Sequence, residues 1–158
     1  MRSEYVLVLT FFIGVLAGLR SLTAPAVTAW AARLGWLSLS PPLSWLGSLP
    51  VAILFALGAL GELVVDKLPK TPSRTAPTGL IARILTGGLS GAAVYYAGSN
   101  QGYWPGAILG AVGGVAGCFG GYLARTKLVK VLGVPDFVVA LGEDLLAVGG
   151  SLWIVSRF

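Results

Sequence analysis

Residues 5 to about 34 are almost continuously apolar, and four more apolar stretches follow at residues 50–65, 80–97, 104–123 and 137–155. A helix of about 20 apolar residues covers the roughly 30 Å hydrocarbon core of a bilayer, and backbone in lipid must satisfy its own polar groups. The pattern therefore predicts an all-α integral membrane protein of about five transmembrane helices. Composition agrees: 11% of residues are charged, against about 25% in soluble domains, and mean hydropathy is +0.85. With 158 residues there is room for at most about six crossings, so the expectation is one transmembrane domain over residues 1–158 and no separate soluble one.

A net charge of +5 would suit nucleic acid if the eleven basic residues formed a patch, but they flank apolar segments and are not interleaved with exposed aromatics. The expected partner is the lipid bilayer and not nucleic acid. Cys118 is the only cysteine and there is no histidine, so no internal disulfide and no cluster for zinc, iron or copper is expected; any metal would be a hard one held by oxygen. No cofactor is implied. Arg2 ahead of an apolar run resembles the start of a signal peptide, but Glu4 weakens it, and the first span is expected to stay attached.

Orientation follows from Lys and Arg beside the spans. With the N-terminus inside, Arg2, Lys67, Lys70, Arg74, Arg83, Arg125, Lys127 and Lys130 collect on the cytoplasmic side and only Arg33 and Arg157 outside, with Arg20 within a span. Five spans then put the C-terminus outside. Trp36, Trp45, Tyr103, Trp104 and Trp153 fall near the outer boundary, where amphipathic rings settle. The expected site is a bacterial cytoplasmic membrane.

The first stretch is longer than one crossing needs. Pro25 removes a helix hydrogen bond and Ser21 or Thr23 can cap a new start, so Arg20-Ser21-Leu22-Thr23-Ala24-Pro25 reads as a break, the alternative being a tilted, kinked helix. In the fourth span Gly106, Gly110 and Gly114, and Gly113, Gly117 and Gly121, form two ladders at four-residue spacing. Such ladders let backbones approach closely, which makes this helix the packing axis, with partners on two sides and a second subunit among the candidates. A homo-oligomer is expected.

Ala59-Leu60-Gly61-Glu62 recurs as Ala140-Leu141-Gly142-Glu143, and each preceding span holds an arginine followed by a hydroxyl residue, at Arg20-Ser21 and Arg125-Thr126. One reading is an inverted two-helix repeat, with units 5–69 and 104–158 joined by span 80–97. Ionised groups in a span cost about 2.5–3.5 kcal/mol on insertion scales, so they call for a reason. Glu62 and Asp66 share a helix face, Glu143 and Asp144 are adjacent, and all four fall in the cytoplasmic third with Arg125, while Arg20 stands alone in the outer half, suited to an anionic ligand or a buried carboxylate. The expected arrangement turns Glu62 and Glu143 inward, paired with Arg125 or lining a polar cavity. The plainer alternative makes Asp66 and Asp144 helix-end charges.

Glu62 to Pro69 (Glu-Leu-Val-Val-Asp-Lys-Leu-Pro) and the Glu143-Asp144 pair after Pro135 resemble a family of small bacterial integral membrane proteins characterised only as a domain of unknown function. Gly18-Leu19-Arg20 followed by Pro25 is similar to that family's broken first helix. The family's histidine before the third span has no counterpart here. The resemblance implies the fold and the importance of the acids, and no activity.

Three functions compete. The leading expectation is a small transporter or channel for an ion or small solute, with Arg20, Glu62, Asp66, Arg125, Glu143 and Asp144 lining the path. The second is a non-transporting scaffold or accessory subunit whose carboxylates neutralise buried arginines. A membrane enzyme ranks last, since no nucleophile elbow, phosphate loop or zinc spacing occurs.

Overall fold

The computed structural model describes residues 3–65 and 75–158. These form six α-helices: α1 (Ser3–Leu19), α2 (Thr23–Arg33), α3 (Leu49–Val65), α4 (Pro77–Ser99), α5 (Trp104–Leu132) and α6 (Asp136–Val155), with one 3₁₀ turn at Ser44–Gly47 before α3. Three of them, α4, α5 and α6, are long and apolar enough to cross a membrane, and α1 and α3 are shorter apolar helices. The protein is an all-α membrane protein, and all five apolar stretches are helical.

The boundaries have local causes. Pro77 and Pro105 sit in the first turns of α4 and α5, where a missing N–H costs nothing, and Pro25 does the same for α2. Asn100 ends α4 and Gly133 ends α5 in the left-handed conformation, each closing the last turn with its backbone N–H. The fifth helix runs nine residues past the expected end at 123, because residues 124–132 contain no breaker before Gly133.

The glycines of α5 decide the packing. A Cβ at Gly110 would lie 2.2 Å from the carbonyl oxygen of Gly87 on α4, and one at Gly117 would lie 2.0 Å from that of Val15 on α1. The ladder Gly106, Gly110, Gly114 meets α4; Gly113 and Gly117 meet α1. Gly121 is buried and borders a groove between α5 and α6. The helix is a packing axis with two partners, as the spacing predicts, but both partners belong to the same chain, so these faces of α5 leave no room for a second subunit.

Helix directions correct three expectations. Gly14 meets Gly110 and Gly18 meets Gly114 and Gly117, so α1 and α5 run parallel, whereas an inverted repeat requires them antiparallel. Gly98 near the end of α4 touches both Val6 and Phe158, so both ends of the chain lie at one end of the bundle and not on opposite sides. The reason lies in the first stretch. Ala31 of α2 packs with Val155, and Ala97 and Phe158 border the same cluster, which returns α2 to the end where α1 began. The break at residues 20–22 is thus a hairpin turn. The helix is interrupted where the sequence places the break, but the chain reverses there instead of continuing as a kinked crossing, and this reversal makes the number of passes even. The short α2, of 11 residues, wedges against α3, α4 and α6.

Candidate functional site

In an unbroken helix the N–H groups of Ser21 and Leu22 would bond the carbonyls of Ala17 and Gly18. The turn separates these groups, and two side chains from other helices take them up. Glu62 of α3 receives the donors: its Oε1 accepts from the Ser21 backbone N–H at 2.8 Å and the Ser21 hydroxyl at 2.9 Å, and its Oε2 accepts from the Leu22 N–H at 2.8 Å. Arg83 of α4 takes an acceptor: its Nε donates to the Gly18 carbonyl at 3.0 Å, while Nη1 donates to the Gly79 carbonyl at 3.0 Å. The two side chains also face each other, with Arg83 Nη2 3.8 Å from Glu62 Oε1. A buried amide without a partner costs about 1–3 kcal/mol, so this clasp is what permits irregular backbone inside the bundle. The carboxylate also lies at the positive end of α2, where its charge is favoured.

Arg20, in the turn itself, is 1% exposed and places Nη2 2.6 Å from Asp144 Oδ1 on α6. A third cluster closes the α5–α6 hairpin. Arg125 donates through Nε to Asp136 at 2.7 Å, bonds the same carboxylate again through Nη2, and lies 3.4 Å from Glu143 through Nη1. Among the described residues, three arginines and four carboxylates therefore gather around the hairpin tip and the adjoining α5–α6 turn. Thr23, Ser90 and Ser151 contribute buried hydroxyls with no hydrogen-bond partner among the described residues.

Of the six residues expected to line a path, five are placed in these pairs. Asp66 lies outside the described residues. Arg20 does meet a buried carboxylate, but it is not alone at a separate depth: contact with Asp144 puts both at one level, because α1 ends about 25 Å from its start and Arg20 sits at that end. Glu143 pairs with Arg125 as expected, whereas Glu62 pairs with Arg83. Sequence reasoning missed Arg83, treating it as a topology-setting charge at a span's edge; it is 6% exposed. The available signal was its place in α4, two turns after Pro77, at a point where the hairpin leaves carbonyls open.

Two apolar grooves flank this core. One, of about 260 Å³, runs between α2 and α6 past Trp30 and Trp36; the other, of about 380 Å³, runs between α5 and α6 past Leu19, Leu128 and Leu146, with Arg125 and Glu143 in its wall. Among the described residues no group of three or more Cys, Asp or Glu side chains is arranged to hold a metal ion.

Apolar crossing helices around a buried charged turn define a multi-pass helical membrane protein. The chain belongs to the family described as Domain of unknown function (DUF4126), whose model matches residues 7–156. No curated protein and no solved structure matches it.

Proposed function

We propose that this protein is a small membrane transporter or channel whose path for an ion or small solute passes the turn at residues 20–22. The observation that carries this reading is the hairpin tip itself. Helices interrupted inside a membrane protein expose backbone dipoles where ligands bind, and here the interruption is held by exchangeable side-chain contacts from α3, α4 and α6. One ligand or one proton arriving at the tip therefore acts on four helices at once. On this reading Arg20, Glu62, Arg83 and Asp144 form the inner part of the path, and Arg125, Glu143 and Asp136 its mouth.

The distribution of basic residues over the two ends of the bundle supports one orientation. Among the described residues, the end that carries the hairpin tip holds Arg20, Arg83, Arg125, Lys127 and Lys130, against Arg33 and Arg157 at the end of the termini. The positive-inside rule then places the tip toward the cytoplasm of a bacterial inner membrane, with both termini and the aromatic residues Trp36, Trp45, Tyr103 and Trp104 outside. No catalytic chemistry is assigned. Any homo-oligomer would form through the exposed apolar faces of α3 and α6, since the glycine ladders of α5 are filled within the chain.

The test is flux. Purified protein in proteoliposomes should pass at least one member of a panel of ions and small metabolites, and Glu62→Gln should abolish that flux while the protein stays folded. A specific observation favours a second reading, a non-transporting scaffold: each described carboxylate at the turn already faces an arginine. Absence of flux across the panel, with the same variant simply less stable, would support the scaffold instead.

A further inference from the structure

The eight buried polar side chains among the described residues fall into two tiers. Arg20, Thr23, Arg83 and Asp144 belong to the turn. The other four, Thr10, Thr28, Ser90 and Ser151, come one from each of α1, α2, α4 and α6, and all are fully buried. Helix register brings these four hydroxyls to a common depth, to within about one turn. Ser90 lies seven residues after Arg83 and Ser151 seven after Asp144, which is the same helix face about 10 Å nearer the end of the termini. In the same direction, Thr28 stands about 9 Å from Leu22 along α2 and Thr10 about 15 Å from Arg20 along α1. Their neighbours meet: Leu9 and Ile13 flanking Thr10, Ala24 one turn before Thr28, Val94 one turn after Ser90 and Ile154 three residues after Ser151 pack in one cluster.

Two of the four hydroxyls break a pattern. A hydroxyl on a helix can donate to the carbonyl one turn back, as Thr10 does to Val6 and Thr28 to Ala24, and as Thr86, Ser99 and Thr126 do elsewhere. Ser90 and Ser151 forgo that bond, and neither hydroxyl has a hydrogen-bond partner among the described residues. A buried hydroxyl left in this way is unfavourable, and a water molecule with two or more polar partners relieves it. Thr10 and Thr28 donate to their own helices but keep oxygen lone pairs that can accept from such a molecule. Ala17, Ala24 and Ala147, all small and fully buried, lie between the two tiers on their helices.

We propose that the second tier is a hydration site inside the bundle that extends the path from the turn, and that the passenger is water or another small uncharged solute able to donate and accept hydrogen bonds; the proposal rests on the transport reading and names its substrate class. The tier carries no charge, and hydroxyls alone do not offset the desolvation of an ion inside a membrane. At the turn the charges face one another, Arg20 with Asp144 at 2.6 Å and Arg83 with Glu62 at 3.8 Å, so opposite charges counter each other there. Hydroxyls from four helices offer both donors and acceptors, which suits a molecule that does the same.

The experiment uses the full chain in lipid vesicles and has two readouts. Solid-state NMR follows magnetisation transfer from water to methyl groups. The Thr10 and Thr28 methyls should receive it at least threefold faster than those of Leu46, which is as deeply buried but sits in an apolar cluster. Replacing both serines, Ser90→Ala with Ser151→Ala, should slow the threonine transfer at least twofold. In stopped-flow measurements the vesicles should pass water, glycerol or urea at least threefold faster than protein-free vesicles, with the double variant at least twofold slower, and should pass potassium and chloride no faster. Threonine transfer as slow as that of Leu46, or unchanged in the double variant, would overturn the hydrated tier whatever the flux. Ion flux without passage of any uncharged probe would overturn the passenger and leave transport standing. A wet tier with no flux of any kind keeps the hydration site and removes the transport reading.

Discussion

Gly117→Ala tests the packing axis most directly. The added Cβ would stand 2.0 Å from the Val15 carbonyl oxygen and 2.8 Å from its carbon, and both are backbone atoms that cannot rotate away. Ordinary contact begins near 3.4 Å, so α1 and α5 must separate by about 1.4 Å at this point. Overpacking a well-filled interface costs about 1–3 kcal/mol, and a backbone obstacle places this case near the upper end. Replacing a mid-helix glycine by alanine returns up to about 1 kcal/mol of helix propensity. The expected net loss is about 2 kcal/mol, or about 4–8 °C in melting temperature for a chain of this size. Gly120→Ala is the control. It lies three residues along the same helix with nothing within 4 Å of its added Cβ, so only the propensity gain applies and the protein should melt about 2–4 °C higher. Thermal unfolding of the two variants in one detergent measures the difference. Equal shifts, or a neutral Gly117→Ala, would refute the close approach of α1 to α5.

Arg83→Lys keeps the charge but loses the fork that spans the Gly18 and Gly79 carbonyls, and should lower stability by about 1–3 kcal/mol in chemical or thermal unfolding. Asp144→Asn removes the carboxylate charge that Arg20 Nη2 faces at 2.6 Å and should lower the melting temperature, while Asp144→Glu, which keeps the charge, should lower it less; equal losses in the two variants would contradict the pairing. Single cysteines at Ser3 and Ser156, in a Cys118→Ser background, should react with impermeant reagents from the same face of intact cells, and one at Lys127 only from the opposite face; all three residues are exposed.

Helix class, the number of apolar segments and most of their ends were legible in the sequence, because lipid forces backbone to bond locally and local bonding is written in hydropathy, proline and glycine. The two glycine ladders were legible for the same reason: a spacing of four residues marks one helix face whatever lies opposite it. The break at residues 20–22 could be located from Arg20 and Pro25, but its sense could not. Whether a chain continues or reverses after a break depends on what receives the freed N–H and carbonyl groups, and those receivers, Glu62 and Arg83, stand 41 and 65 residues beyond the groups they hold. From that one reversal follow the even number of passes, the shared end of the two termini and the parallel course of α1 and α5, none of which composition or periodicity encodes. Pairing shows the same division. The sequence marked Glu62, Glu143, Asp144, Arg20 and Arg125 as costly charges needing partners, while only the packing of α3, α4 and α6 around the hairpin decided which acid meets which arginine, because an ion pair depends on distance across the fold and not along the chain.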